Sequence, residues 1–197
     1  MIEASMHIPP GYAMFIPSAL REAVDLPVVG VGRFKDPVQA DRALEEGLCD
    51  LVGVVRGQIA DPDFARKARA GHTDDTRLCL SCNQECVGRM GLNRWLGCIE
   101  NPRTGRESRG VGLPRPVRTR RDVLVIGGGP AGLQAALAAA RNGHSVTVAE
   151  AAHVLGGQVR VAASVPNRAE LGDMIRNQAS ECRRLGVVVE TGVVVAA

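Results

Sequence analysis

Apolar positions along the chain recur with two periods, and the periods alternate. Pro27 to Arg33 (PVVGVGR) and Leu51 to Val55 (LVGVV) are continuous apolar runs relieved only by glycine, as expected of strands covered on both faces in a parallel sheet. Between them Ala40, Ala43 and Leu44 recur at helical spacing, with Pro37 suited to the first helical position and Gly47 to the stop. This combination predicts a βαβ unit. A further helix, DPDFARKARA, is expected to open with Asp61 as N-cap and Pro62 at its first position, and to end at Gly71. From residue 122 the alternation returns. Asp122 to Ile126 (DVLVI) and Ser145 to Ala149 (SVTVA) read as strands flanking an alanine-rich helix, LQAALAAARNG. An amphipathic helix from Asn167, with Leu171, Met174, Ile175, Ala179, Cys182 and Leu185 on one face, leads to a third strand, Val187 to Glu190. The chain is therefore expected to be α/β, built on parallel strands.

Neither period runs between the two alternating stretches. Arg103 to Arg121 holds seven arginines against one acid, Glu107, in a chain whose total charge is only +3. Gly105, Gly110, Gly112, Pro114 and Pro116 fall in the same stretch, a composition that resists regular structure. It reads as a solvated linker, or as a basic seam that crosses a neighbouring domain or attracts anionic cofactors. The expected organisation is an α/β part over 1–75, a cysteine segment over 76–102, a linker over 103–121 and a second α/β part over 122–197.

Composition narrows the class further. A hydrophobic share of 45% suits a globular chain, and no apolar run approaches the ~18 to 20 residues of a membrane span. The first residues contain Pro9, Pro10, Gly11 and Pro17 and lack a basic start followed by an apolar stretch, so no signal peptide is expected and the location is read as cytoplasmic. One Trp, one Tyr and three Phe cannot build a stacking platform for single-stranded nucleic acid. The expected partner is a small-molecule substrate, with neither nucleic acid nor membrane.

Three motifs carry chemistry. Each strand of the first pair ends in a small-residue turn with one arginine, Gly32-Arg33 and Arg56-Gly57. Glycine admits close backbone approach to an anion and guanidinium binds it bidentately, so these turns form a candidate phosphate site; the plainer alternative is a pair of surface caps. Cys79, Cys82, Cys86 and Cys98 form C-x2-C-x3-C-x11-C. The first three are too close together for mutual disulfides. Three clustered thiolates plus a distant one favour a [4Fe-4S] cluster, with zinc as the alternative. Trp95 and Leu96 stand ready to shield such a cluster or to serve as ordinary core, while Cys49 and Cys182 read as inert core thiols. Finally, Gly127-Gly-Gly129-Pro-Ala-Gly132 sits between a strand and a helix, with Glu150 at the end of the next strand and Gly156-Gly157-Gln158 soon after. This is the dinucleotide-binding context; the second glycine pair favours FAD over NAD, and a glutamate at 150 argues against a 2′-phosphate there.

The order of these features resembles the iron–sulfur branch of the old yellow enzyme family, which includes bacterial 2,4-dienoyl-CoA reductase and trimethylamine dehydrogenase. The resemblance rests on VVGVGRF-x-DP, DLVGVVRGQIADPDF, CLSCNQECVGRMG with Cys98 and Asn101-Pro102, and VLVIGGGPAGLQAA through LGGQ. A subgroup associated with mycofactocin-type redox systems is similar too. The resemblance implies the C-terminal end of a TIM barrel (its last two βα units), a four-cysteine cluster segment and the start of a Rossmann-like FAD-binding domain. It implies FMN phosphate on Gly32, Arg33 and Arg56, FAD on Gly127, Gly129, Gly132, Glu150, Gly157 and Gln158, and the cluster on the four cysteines. Electrons would pass from NAD(P)H through FAD, cluster and FMN to an activated alkene such as an enoyl or dienoyl thioester. One position departs from the family: many relatives have glycine or alanine where this chain has Val55, which bears on close contact with the FMN phosphate.

No Tyr or His in residues 1–26 matches the family's proton donors, and His7 reads as a loop histidine. A (β/α)8 barrel takes about 250 residues. The remaining barrel strands and an NAD(P)H domain are therefore expected from a longer polypeptide. Readings without catalysis are an electron-transfer or metal-binding module, or a truncated inactive product.

Overall fold

Proline and aspartate together set the start of one helix in the first half. In the computed structural model, which describes residues 3–115 and 117–196, Asp36 caps helix α2 (Pro37–Glu45) by accepting the Val38 N–H at 2.9 Å. Pro116, counted above with the linker, lies outside the described residues. The chain divides into two compact units, Met1–Arg106 and Glu107–Ala197, both α/β with small parallel sheets.

In the first unit, helix α1 (Phe15–Ala23) precedes β1 (Val29–Gly30), which pairs in parallel with β2 (Leu51–Val52) across α2. Helix α1 had no counterpart in the sequence reading. It is tied to the end of α2 by Arg21, which pairs with Asp50 at 3.0 Å and donates to the Gly47 carbonyl. Both strands are shorter than the apolar runs that predicted them. The first stops because Arg33 turns left-handed, at φ 61°, and the second because Arg56 already opens helix α3 (Arg56–Ala60). Met14, Phe34, Ala43 and Cys49 form the core between sheet and helices, so Cys49 is a packed thiol as expected.

Helix α4 (Phe64–Arg69) starts later than predicted, and Asp61 is not its N-cap. Instead the buried Asp61 carboxylate is a hub. One oxygen accepts the Asp63 N–H at 3.0 Å; the other takes Lys67 Nζ at 2.6 Å and the Arg77 N–H at 2.8 Å. The turn formed by the first of these bonds occupies the residues where the helix would have begun. Beyond it the chain makes a short 3-10 turn (Thr73–Asp75), then a single π-helical turn (Gln84–Gly88) running into α5 (Arg89–Gly91).

The second unit is a three-stranded parallel sheet ordered β3 (Asp122–Ile126), β4 (Ser145–Glu150), β5 (Val188–Thr191). Helices α6 (Pro130–Arg141) and α8 (Asp173–Arg184) are joined by the Arg141–Glu181 ion pair, with α7 (Gln158–Ala163) between them in sequence. Leu133, Leu137, Val146, Val148 and Cys182 form the core, so Cys182 is also inert packing. Helix α8 starts after the predicted point because Asn167 is left-handed and a 3-10 turn (Ala169–Gly172) intervenes. Six of the seven arginines of the basic stretch are exposed. The backbone N–H groups of Arg115 and Val117 are laid on Asn142, beyond α6. No helix among the described residues is long and apolar enough to cross a membrane.

Removing the Asp61 carboxylate takes the counter-charge from the Lys67 ammonium, which is only 19% exposed, and leaves it the neutral Asp75 carbonyl at 2.8 Å. Asp61→Ala is expected to lower unfolding free energy by about 3 kcal/mol, measured by urea denaturation of the intact protein; a change within experimental error would show that the hub is replaceable.

Candidate cofactor sites

Residues 76–102 have almost no regular structure, yet they bring four thiols to one place. Cys79, Cys82, Cys86 and Cys98, all outside any disulfide, line a single small pocket with Ile59, Leu80 and Ile99. The Ser81 N–H points at Cys79 Sγ, 3.3 Å away. Burial pushes the Cys79 and Cys82 thiols upward, and Cys98 to about 11, against opposing hydrogen bonds from backbone N–H groups, those of Asn101 and Glu100 in the case of Cys98. Desolvated thiols with N–H groups aimed at sulfur form a donor set suited to a bound cationic centre, because hydrogen bonds to ligating sulfurs stabilise thiolate charge and tune potential. Among the described residues no group of three or more His, Cys, Asp or Glu side chains is arranged to hold a metal ion; the thiols surround a pocket and do not converge on a point.

Polar ties give the segment its shape. Arg77 donates to the Glu100 carbonyl at 2.6 Å, and the Asn101 side chain donates to the Ile59 carbonyl at 2.9 Å. The Gly97 N–H bonds the Glu85 carbonyl at 2.9 Å, bringing the strand of chain that carries Cys98 alongside the one that carries Cys86. Arg89 reinforces this contact: its guanidinium lies 3.8 Å from the centre of the Trp95 ring and its Nε donates to the Trp95 carbonyl. Trp95 is about half exposed and does not line the cysteine pocket, so it neither shields the thiols nor belongs to the core.

A second, larger cavity of about 320 Å³ adjoins the first. Arg33, Lys35 and Arg56 contribute three cations against one carboxylate, Glu3; Val31, Phe34, Val55, Ile59, Met90 and Leu96 give apolar walls and Tyr12 a phenol, and Cys79 and Cys86 line it as well. Cations set among apolar walls suit a flat aromatic ligand with an anionic tail. Arg33 and Arg56 are thus brought together. Gly32 does not line the cavity: its carbonyl accepts the Gly11 N–H at 2.6 Å, and it packs against that residue. Two residues that sequence reasoning missed orient the arginines. Arg33 Nη1 donates to Ser81 Oγ at 2.8 Å, and Arg56 Nη1 donates to Asn83 Oδ1. The available signal was the asparagine directly after Cys82, a residue type that tolerates the left-handed backbone found there, at φ 57°.

In the second unit, Gly127, Gly129 and Gly132 form the turn from β3 into α6, where Pro130 takes the first helical position. A Cβ at Gly132 would collide with the Gly127 carbonyl, so this close approach requires glycine. Glu150, at the end of β4, is directed back onto the turn. Its carboxylate accepts the Gly128 N–H at 2.6 Å and the Ala152 N–H at 2.8 Å, leaving lone pairs on both oxygens. These N–H groups, Ala152 first, hold its carboxyl below the usual glutamate value. Gly157, left-handed at φ 49°, meets Gly129 across the turn and opens the helix that starts with Gln158. All six expected residues therefore sit around or beside one glycine-rich turn.

Residues 4–75 match the NADH:flavin oxidoreductase / NADH oxidase family, and residues 122–180 match the FAD dependent oxidoreductases. NADH oxidase of Thermoanaerobacter brockii is 38% identical over 185 residues, covering 93% of this chain and 28% of that protein. N,N-dimethylglycine/sarcosine dehydrogenase of Chromohalobacter salexigens is 38% identical over 192 residues, or 95% of this chain and 27% of that protein. The solved structure of 2-naphthoyl-CoA reductase in complex with 2-naphthoyl-CoA superposes with a TM-score of 0.93 at 28% identity, over 100% of this chain and 30% of that one. The chain thus spans under a third of the length of the proteins it matches.

Because the Glu150 carboxyl is held low, its contribution to stability is present above the ordinary glutamate value of 4.5 and is lost as pH falls through the lowered one. The difference in urea midpoint between wild type and Glu150→Gln is expected to hold from about pH 7 to about pH 5 and to shrink as the pH is lowered further. A difference independent of pH would contradict the assignment.

Proposed function

We propose that this chain belongs to the NADH:flavin oxidoreductase / NADH oxidase family and supplies the stretch of sequence that runs from the FMN site to the FAD site of an NAD(P)H-dependent FMN/FAD/iron–sulfur oxidoreductase. In this reading residues 1–75 are the end of an FMN-binding (β/α)8 barrel, 76–102 hold a [4Fe-4S] cluster, 103–121 are a linker, and 122–197 begin a Rossmann-like FAD-binding domain. The observation that carries it is the cavity that Arg33, Arg56, Cys79 and Cys86 share. An anionic flavin seated there would lie beside two of the four thiols.

When bound, the flavins and the cluster supply hydride and one-electron chemistry between NAD(P)H and a small activated alkene such as an enoyl or dienoyl thioester. The chain's own residues bind and orient. Arg33 and Arg56 meet the FMN phosphate as guanidinium donors, while Val31, Phe34 and Leu96 exclude water beside them. Cys79, Cys82, Cys86 and Cys98 would hold the cluster; thiols distributed around a pocket suit a body of several metal atoms better than a lone zinc ion. Gly127, Gly129 and Gly132 admit the FAD pyrophosphate to the start of α6, with Glu150 positioned for ribose hydroxyls and Gly157 and Gln158 beside them. A thioester substrate is supported by the likeness to a 2-naphthoyl-CoA reductase.

The intact protein, purified without oxygen, is expected to retain both FMN and FAD. Arg56→Ala should lower bound FMN at least several-fold and leave FAD unchanged, as measured by chromatography of the released flavins. Wild-type protein that binds neither flavin would overturn the reading in favour of a non-catalytic metal or electron-transfer module.

A further inference from the structure

The two residues that orient the arginines are interleaved with the cysteines. Ser81 lies between Cys79 and Cys82, and Asn83 follows Cys82 directly. Both have left-handed backbones, at φ 51° and 57°, a conformation that non-glycine residues keep only where the surroundings impose it. One short segment thus serves both sites: Cys79, Cys82 and Asn83 line the thiol pocket and Cys79 and Ser81 the neighbouring cavity, while Ser81 Oγ accepts from Arg33 and Asn83 Oδ1 from Arg56. Ser81 is almost fully buried. On its other side the segment is tied to the N-terminal stretch, with the Met6 N–H on the Ser81 carbonyl at 3.0 Å and Asn83 Nδ2 on the Glu3 carbonyl at 2.8 Å.

We propose that Ser81 and Asn83 are positioning residues that couple the two sites, so that occupancy of the four-thiol pocket sets the affinity of the neighbouring cavity for a flavin phosphate. The inference rests on the assignment of those sites to a cluster and to FMN. The physical chain is short. Leu80 is the segment's one fully buried apolar side chain and the rest of its hold is polar, so ligation of its cysteines would tighten its backbone further. A fixed backbone holds the Ser81 and Asn83 acceptors in place, and these hold both guanidinium groups oriented for an anion. Preorganised donors lose less conformational freedom on binding, and what one site gives the other must be returned.

The test is a fluorescence titration of the intact protein with FMN, before and after the cluster is stripped by mild oxidation with a chelator, with iron content followed in parallel. In wild type, stripping should weaken FMN binding roughly 5–150-fold, the usual range of coupling between sites. In the double variant Ser81→Gly/Asn83→Ala, iron content should stay at the wild-type level, FMN binding should already be weak with the cluster present, and stripping should change it little. Asn83→Asp keeps an acceptor for Arg56 and tolerates the left-handed backbone, so it should retain most of the wild-type dependence. Should the double variant fail to load iron, the single variants decide: Asn83→Ala is expected to lose part of the coupling that Asn83→Asp keeps, and equal coupling in both would refute the role. Wild-type affinity unchanged by stripping, or an equal drop in wild type and double variant, would overturn the proposal and leave the site assignments standing. A wild type that holds no iron or no FMN would overturn both.

Discussion

The first unit depends on one constraint: a segment with hardly any regular structure must present four thiols to a common pocket. Apolar burial cannot define such a segment, because few of its side chains are buried in a core. Directional polar contacts do so instead. The Asp61 carboxylate anchors its beginning through the Arg77 N–H, Asn101 anchors its end to the Ile59 carbonyl, and the Gly97 to Glu85 bond closes the loop between. Each tie is a hydrogen bond worth about 1 kcal/mol net, so the arrangement is directional without being strongly held.

The neighbouring cavity depends on the same segment. Its cations come from the turns after two strands, but the side chains that aim them come from between the cysteines. The cavity and the four-thiol pocket therefore draw on shared structure. The second unit solves a related problem by other means. There a glycine turn, a helix start and one carboxylate are fixed by a sheet and a packed core, and the geometry is local to β3, α6 and β4.

This contrast accounts for what was legible in the sequence. Strands β3 and β4, the helix after the glycine turn and Glu150 were all readable, because periodicity and motif report local structure. The cysteines could be found by spacing alone, and so could the arginines that follow each apolar run. Four features were not legible, for physical reasons. Strands β1 and β2 are cut short by backbone turns at Arg33 and Arg56 that apolar patterning does not encode. Asp61 looked like a helix cap because its three partners, Asp63, Lys67 and Arg77, are assembled only by folding. Gly32 belonged to a plausible anion turn, yet it is packed against Gly11. Ser81 carried no signal and Asn83 only its tolerance of a left-handed backbone, since their contacts to the arginines span 48 and 27 residues of sequence.

The central claim is that the four thiols hold one cluster beside a flavin. It is tested most directly by metal and acid-labile sulfide analysis of the intact protein purified without oxygen, with electron paramagnetic resonance on the reduced sample. The account predicts iron and sulfide in equal amounts, as one cubane per chain, with a signal broadened by a nearby flavin radical at partial reduction. Zinc without sulfide, or protein that carries no metal while its flavins are bound, would contradict it.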